Sequence, residues 1–294
     1  MINLSTIIIA IANQKGGVGK SKTADVVARD LASKGYKVLL IDFDPQMTLT
    51  KQFGINPSDI INTPQDSSSV FTENRIPQPK QVPINMNKDI FLDMLFASPS
   101  LLEYAQSGMS ARELRLKNYL KKIKKEMIYD YIVIDTQGSF GVLFTNAILS
   151  ADEIILPIAT VQAATASTES FFNELMKFEE QFEHEIKKII LFGNMYNKVA
   201  SHDKEQLQII NNDIPNYVKA QKDINNFTSL SLHVVNEVPN RTVIKDATGN
   251  GMYLREYIKA YANSKSNKEI LQTYDEIFKL LTGTDFNIED NQNG

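Results

Sequence analysis

Residues Ile7 to Ser21 read IIIAIANQKGGVGKS, an apolar run that empties into a glycine-rich loop ending in Gly19-Lys20-Ser21. The run has the character of a buried strand, and Thr23-Ala24-Asp25-Val26-Val27-Ala28 beyond the loop reads as helix. A strand, a glycine loop and a helix in that order form a phosphate cradle. Glycines let backbone N–H groups turn toward phosphate oxygens, the ammonium of Lys20 reaches the terminal phosphates, and the Ser21 hydroxyl can hold Mg²⁺. A loose glycine pattern would equally suit a tight turn, but the full string in this context is far more specific. Gln14 stands where the usual first glycine of such loops would be, and a second lysine, Lys15, directly precedes Gly16-Gly17-Val18-Gly19-Lys20. Two lysines exceed what one nucleotide's phosphates normally require.

The string KGGVGKS with Lys15 resembles the deviant Walker A motif of the ParA/MinD family, ATPases that work as nucleotide-sandwich dimers. The resemblance implies that Lys15 reaches across a dimer interface to the partner's nucleotide while Lys20 serves its own. It also implies that Gly16, Gly17, Val18, Gly19, Lys20, Ser21 and Lys22 surround the phosphates. One departure stands at Lys22, where the family commonly places a threonine that touches the α-phosphate.

Three further segments extend this reading. Val38 to Gln46 ends an apolar run in Asp42-Phe43-Asp44-Pro45-Gln46, and carboxylates two residues apart on an extended chain point the same way. Alone, the pair reads equally well as a solvated Asp-Pro turn. Its likeness to the family's DxDPQ switch implies that Asp44 orients the attacking water and that Asp42 lies near Mg²⁺. Tyr129 to Thr136 is a hydrophobic strand ending in Asp135, similar to the family's Walker B strand, whose acid holds Mg²⁺ through a water. The family usually continues with two prolines. Here Gln137-Gly138-Ser139-Phe140-Gly141 follows, which predicts a more flexible loop. Late in the chain, Val238-Pro239-Asn240-Arg241 looks like the segment that frames the adenine near Pro239, with Asn194 as a second base contact.

At 294 residues and 43% hydrophobic content the chain can bury one large core. It has no cysteine, which excludes disulfides, thiolate metal sites and cysteine nucleophiles. The apolar run Ile7 to Ala12 is too short for a membrane span and leads into the loop, so a cytoplasmic protein is expected. A net charge of −4 means that DNA binding would need a local basic patch.

Apolar runs alternate with amphipathic ones, which predicts a doubly wound α/β fold: a mostly parallel sheet flanked by helices, with nucleotide at the carboxyl ends of the strands. Strands are expected near 6–13, 37–42, 90–97, 131–135, 153–157, 188–194 and 230–235. Helices are expected over 22–33, 111–126, 167–182, 204–211, 251–261 and 268–281. Residues 1–284 form a single P-loop NTPase domain in this reading. Within it, residues 56–87 make a proline-rich, irregular surface excursion that the family pattern does not match, and 285–294 form a disordered acidic tail.

The resemblance implies an ATP- and Mg²⁺-dependent homodimer that binds double-stranded DNA without sequence preference, associates with the nucleoid and answers to a centromere-binding adaptor. Arg241 and Lys245 are the DNA-contact candidates, because the arginine that the family pattern would supply falls near Val243. Lys121, Lys122 and Lys125, within a lysine-rich predicted helix, form a second candidate patch, although a solvated face is the commoner meaning of such a run. With only six residues ahead of Ile7, repression through an N-terminal DNA-binding domain is not expected. A membrane-cycling alternative would need a basic amphipathic helix near the C-terminus. Ile270, Leu271, Tyr274, Ile277, Phe278 and Leu281 have helical spacing, but Asp275-Glu276 would be repelled by anionic lipid, and no membrane partner is expected. A metabolic ATP-dependent ligase would need an acceptor pocket, for which no constellation is found.

Overall fold

The computed structural model describes residues 6–72, 76–85, 87–108, 111–126, 128–160, 164–225 and 230–286. The apolar runs become strands β1 (Ile7–Ile11), β2 (Val38–Phe43), β3 (Lys80–Pro83), β4 (Phe91–Leu95), β5 (Tyr131–Thr136), β6 (Glu153–Ala159), β7 (Lys188–Tyr196), β8 (Ser231–Val234) and β9 (Val238–Pro239). They assemble in the order β3-β4-β2-β5-β1-β6-β7-β8, with β9 beside β7. All neighbours are parallel apart from the antiparallel edge strand β3.

Strands β2, β5 and β6 are buried along their whole length because helices cover both faces. Alternate residues of β1 point to opposite layers, Ile9 and Ile11 to one and Ile8 and Ala10 to the other. The first layer contains α1 (Lys20–Ser33), α9 (Thr242–Gly249), α10 (Leu254–Tyr261) and α11 (Lys265–Thr282). The second contains α3 (Ser100–Gln106), α4 (Arg115–Glu126), α5 (Val142–Ser150), α6 (Ala164–Phe182) and α8 (Ile214–Asn225). Short α2 (Thr48–Gln52) follows β2, and α7 (Ser201–Gln208) follows β7.

Several expectations change. The segment Ser67-Ser68-Ser69 belongs to a 3₁₀ turn, Ser67–Phe71, that is buried throughout, so the proline-rich stretch is not wholly a surface excursion. It is held because the Asp66 carboxylate accepts from Ser68 N at 2.9 Å and from the Ser98 hydroxyl at 2.6 Å, while Ser67 N donates to Phe96 O. The same stretch supplies β3. A helix over 204–211 starts earlier and continues beyond it, through a π turn at Ile209–Asp213 into α8. Pro215 has no N–H to give, and a widened turn just ahead of it relieves the clash that proline imposes on a regular helix. Of the expected tail, Phe286 is seated, since it packs on Phe278 and the guanidinium of Arg255 lies 3.7 Å from its ring centroid, while Asp285 is exposed and pairs with Lys279. Residues 287–294 lie outside the described residues.

The apolar face of α11 is spent on the core, since Ile270, Leu271, Tyr274, Ile277, Phe278 and Leu281 are all buried. Among the described residues, no helix is long and apolar enough to cross a membrane. A buried ion pair ties this layer together. Arg255 donates to both oxygens of Asp30 on α1, at 2.8 and 2.5 Å, lies 2.7 Å from an oxygen of Asp275, and Tyr253 also donates to Asp30. Replacing Arg255 with methionine leaves Asp30 buried without its counter-ion, and a loss of about 3–5 kcal/mol is expected in urea unfolding. An unchanged midpoint would show the pair to be dispensable.

Candidate functional site

The site is built where β1, β5 and β2 end side by side. The register pairs Ile11 with Asp135 and Asp42 with Asp135, so the loop after β1 and both acids share one sheet edge. Asn13 anchors the loop: its amide donates to Pro157 O at 2.8 Å, and its side-chain oxygen accepts from Lys15 N at 2.8 Å. Gly17 and Gly19 take φ of 76° and 94°. Gly19 also tolerates the close approach of Asn194, whose amide nitrogen would collide with a Cβ there. That amide donates to Val18 O at 2.8 Å, so Asn194 braces the phosphate loop from β7. Val238 pairs with Asn194 and Pro239 with Tyr196, which brings the late segment to the same region.

Helix α1 begins at Lys20 with Gly19 as its cap and without a side-chain capping bond, leaving its first N–H groups for an anion. The Lys20 ammonium donates to Lys15 O at 3.0 Å. Burial lowers its pKa, while Asp135 and Asp44 draw it back up. Lys15 itself is exposed at the mouth of the loop. Lys22 is half-buried on the helix face of Asp25 and Arg29, and burial pushes its pKa down to about 8.

The carboxylates differ in their surroundings. Asp42 is buried and accepts from Thr50 N at 2.8 Å, from the Thr50 hydroxyl at 2.7 Å and from Asp44 N at 3.2 Å. Burial still pushes its pKa up to about 6. Asp135 is also fully buried, and neither of its oxygens has a hydrogen bond of ordinary geometry. Burial and then the charge of Asp42 push it well above the usual carboxylate range, with the Ser21 hydroxyl offsetting part of this. Two unsatisfied carboxylate oxygens beside a serine hydroxyl suit a hard cation that also takes phosphate oxygens, and the residues fit Mg²⁺. Asp44 is partly buried and its pKa is raised by burial, with Gln46 N and then Lys20 lowering it.

The loop after β5 lies over the phosphate loop. A Cβ on Gly138 would meet Gly16 N at 3.1 Å and the Lys20 ammonium at 3.2 Å. Glycine at this position therefore permits a close approach that sequence reasoning described only as flexibility.

The basic candidates separate in space. Arg241, the residue that caps α9, and Lys245 on that helix are exposed where α9 follows β9 at the nucleotide end of the sheet, while Val243 between them is buried. Lys121, Lys122 and Lys125 are exposed on α4. The end of that helix lies at the opposite edge of the sheet, where Lys124 pairs with Asp152, just ahead of β6, at 2.6 Å. Thr50 and Ser67, which hold Asp42, were missed. Their signal was weak, a lone threonine in a short helix and a serine run that reads as a loop.

The strand edge, the glycine loop and the paired acids define a P-loop nucleotide-binding protein. The family model described as an AAA domain, AAA_31, matches residues 6–188, well over half the chain. The chain belongs to that family and is a ParA-type P-loop ATPase within it. It is 28% identical over 213 residues to the cell division protein PomZ of Myxococcus xanthus, covering 70% of this chain and 63% of PomZ. It is 35% identical over 153 residues to the chromosome partitioning protein ParA of the same organism, covering 51% of each. The match thus spans about half to two thirds of these curated relatives. A crystal structure of a putative plasmid partition protein from Borrelia burgdorferi, bound to AMPPNP, superposes with a TM-score of 0.63 at 24% identity, covering 92% of this chain and 99% of that one.

Asp135→Asn removes a carboxyl that burial disfavours in its charged form. A carboxyl whose folded pKa is raised destabilises the fold above its unfolded value near 3.8, so the variant is expected to be more stable than wild type at pH 7 in nucleotide-free protein. The gain should fade as pH is lowered toward 4, where the unfolded carboxyl also takes up a proton. Chemical denaturation across that range checks the sign, and a variant less stable than wild type at pH 7 would refute it.

Proposed function

We propose that the chain is a DNA-segregation ATPase that hydrolyses ATP to ADP and phosphate with Mg²⁺. In this reading its ATP-bound dimer binds DNA without sequence preference and is released when a centromere-binding adaptor stimulates hydrolysis. The observation that carries the chemistry is the buried Asp135 carboxylate, whose oxygens make no hydrogen bond of ordinary geometry, beside Ser21, Lys20 and the Asp42–Asp44 pair. Ser21 and Asp135, with Asp42 behind them, would hold Mg²⁺, which supplies positive charge against the β- and γ-phosphate oxygens. Lys20 and the N–H groups of the loop bind the phosphates, and Asp44 orients the attacking water, whose oxygen forms the new bond to phosphorus as the bond to ADP breaks and whose proton leaves with the phosphate formed. Asn194 and Pro239 border the base, and Lys22 lines the approach to the α-phosphate.

Lys15, exposed at the loop mouth, would complete the site of a second subunit. This makes turnover conditional on dimerisation. Arg241 and Lys245 lie at the nucleotide end, where nucleotide-driven dimerisation could bring two such patches into register, and they are the preferred DNA contacts. Lys121, Lys122 and Lys125 lie on the helix that runs to the other end of the sheet and serve at most as a secondary contact. The protein would then be cytoplasmic and nucleoid-associated.

A gel shift on random-sequence duplex with ATP, ADP or no nucleotide, at two salt concentrations, tests the reading. ATP-dependent, salt-sensitive binding is expected, with loss in Lys15→Gln and in Arg241→Ala/Lys245→Ala, and a smaller effect when the α4 lysines are replaced. ATP-driven dimerisation without DNA binding would sink the DNA role and turn attention to a protein or lipid surface.

A further inference from the structure

We propose that Thr50, seconded by Ser67, is the positioning residue of the catalytic carboxylates. The proposal rests on the ATP-hydrolysis reading and names what aims its acids. The Thr50 hydroxyl has one proton, and it lies 2.7 Å from Asp42 Oδ2. Its lone pair accepts from Ala97 N, 2.8 Å away, just past β4. The roles of the hydroxyl are therefore determined: it receives from the sheet and gives to the acid. Thr50 N donates to the same carboxylate oxygen at 2.8 Å. The other oxygen of Asp42 accepts from Asp44 N at 3.2 Å.

A continuous hydrogen-bonded path thus runs from Ala97 through Thr50 and Asp42 to the backbone of Asp44, the residue that orients water. The main chain of Asp42 is gripped separately, since the Ser67 hydroxyl donates to Asp42 O at 2.8 Å. Asp42, Thr50, Ser67 and Ala97 are all buried, so water cannot replace a lost donor. Without the two Thr50 donors, the bond from Asp44 N is left to hold the plane of the Asp42 carboxylate by itself. The buried part of the proline-rich stretch, which the family pattern does not match, is in this way joined to the reacting end of the sheet.

Thr50 touches no reacting atom, and its effect should appear in kcat more than in nucleotide affinity. Valine preserves the shape and removes the hydroxyl, while serine keeps it. Thr50→Val is expected to lower kcat by roughly tenfold or more with KM for ATP changed less than about twofold, Thr50→Ser to recover most of the loss, and Ser67→Ala to fall between them. A Thr50→Val protein that folds and turns over like wild type overturns the proposal, as does a Thr50→Ser protein as impaired as Thr50→Val. Where Thr50→Val does not fold, Ser67→Ala and Thr50→Ser decide, and wild-type kcat in Ser67→Ala removes the second grip. A wild-type chain without ATPase activity would refute the hydrolysis reading itself. The Mg²⁺ concentration that half-saturates binding of a fluorescent ATP analogue then reads the clamp: it is expected to rise in Thr50→Val and to recover in Thr50→Ser at unchanged analogue affinity in saturating Mg²⁺, and one value for all three proteins overturns the proposal.

Discussion

The pairing of β2 with β5 sets Asp42 directly beside Asp135, and most of the site follows from that register. Two carboxylates lie near the ends of adjacent strands in a region sealed from water, with Lys20 buried nearby. Their mutual repulsion and their burial both oppose ionisation, so the metal-free fold holds an unfavourable arrangement. The large hydrophobic layers on both faces of the sheet offset that cost. A cation bridging to phosphate would relieve it, which couples the occupancy of the site to the stability of the strand edge.

The layers also explain why the site residues lie far apart in sequence yet meet. Parallel strands all deliver their carboxyl ends to one edge, and the loops after β1, β2, β5 and β7 converge there. Asn194 shows the effect most plainly, because its amide reaches back across 176 residues to the carbonyl of Val18. The tightness of the phosphate loop thus depends on β7, and Gly19 has no side chain because that amide occupies the space.

The strands and the phosphate loop were legible because they are dictated by local pattern: continuous apolar runs, turn-forming glycines, and acids at strand ends. Seven runs gave seven strands at nearly the expected places. The missed elements share a different property. Helix α5 is apolar almost all round and buried along nearly its whole length, so it carries no amphipathic period. Strand β3 lies among prolines that read as loop, and it persists as an antiparallel edge because β4 supplies its partners. Helix α8 follows Asn-Asn-Asp and opens on Ile-Pro, a stop signal that the π turn absorbs. At the site, the residues that bear the chemistry were readable from their types and spacing. The residues that hold them, Thr50, Ser67 and Asn13, were not, because their roles exist only once distant backbone atoms are placed.

Phe286 has a consequence for how the molecule is oriented. Helix α1 starts at the phosphate loop and ends at Ser33, and the ammonium of Lys34, which caps it, lies 4.7 Å from the Phe286 ring centroid. The aromatic ring therefore closes the layer at the end of α1 farthest from the nucleotide. A fluorescent probe put in place of Phe286 would therefore report on the packing of that layer at a distance from the phosphate loop and from Lys15.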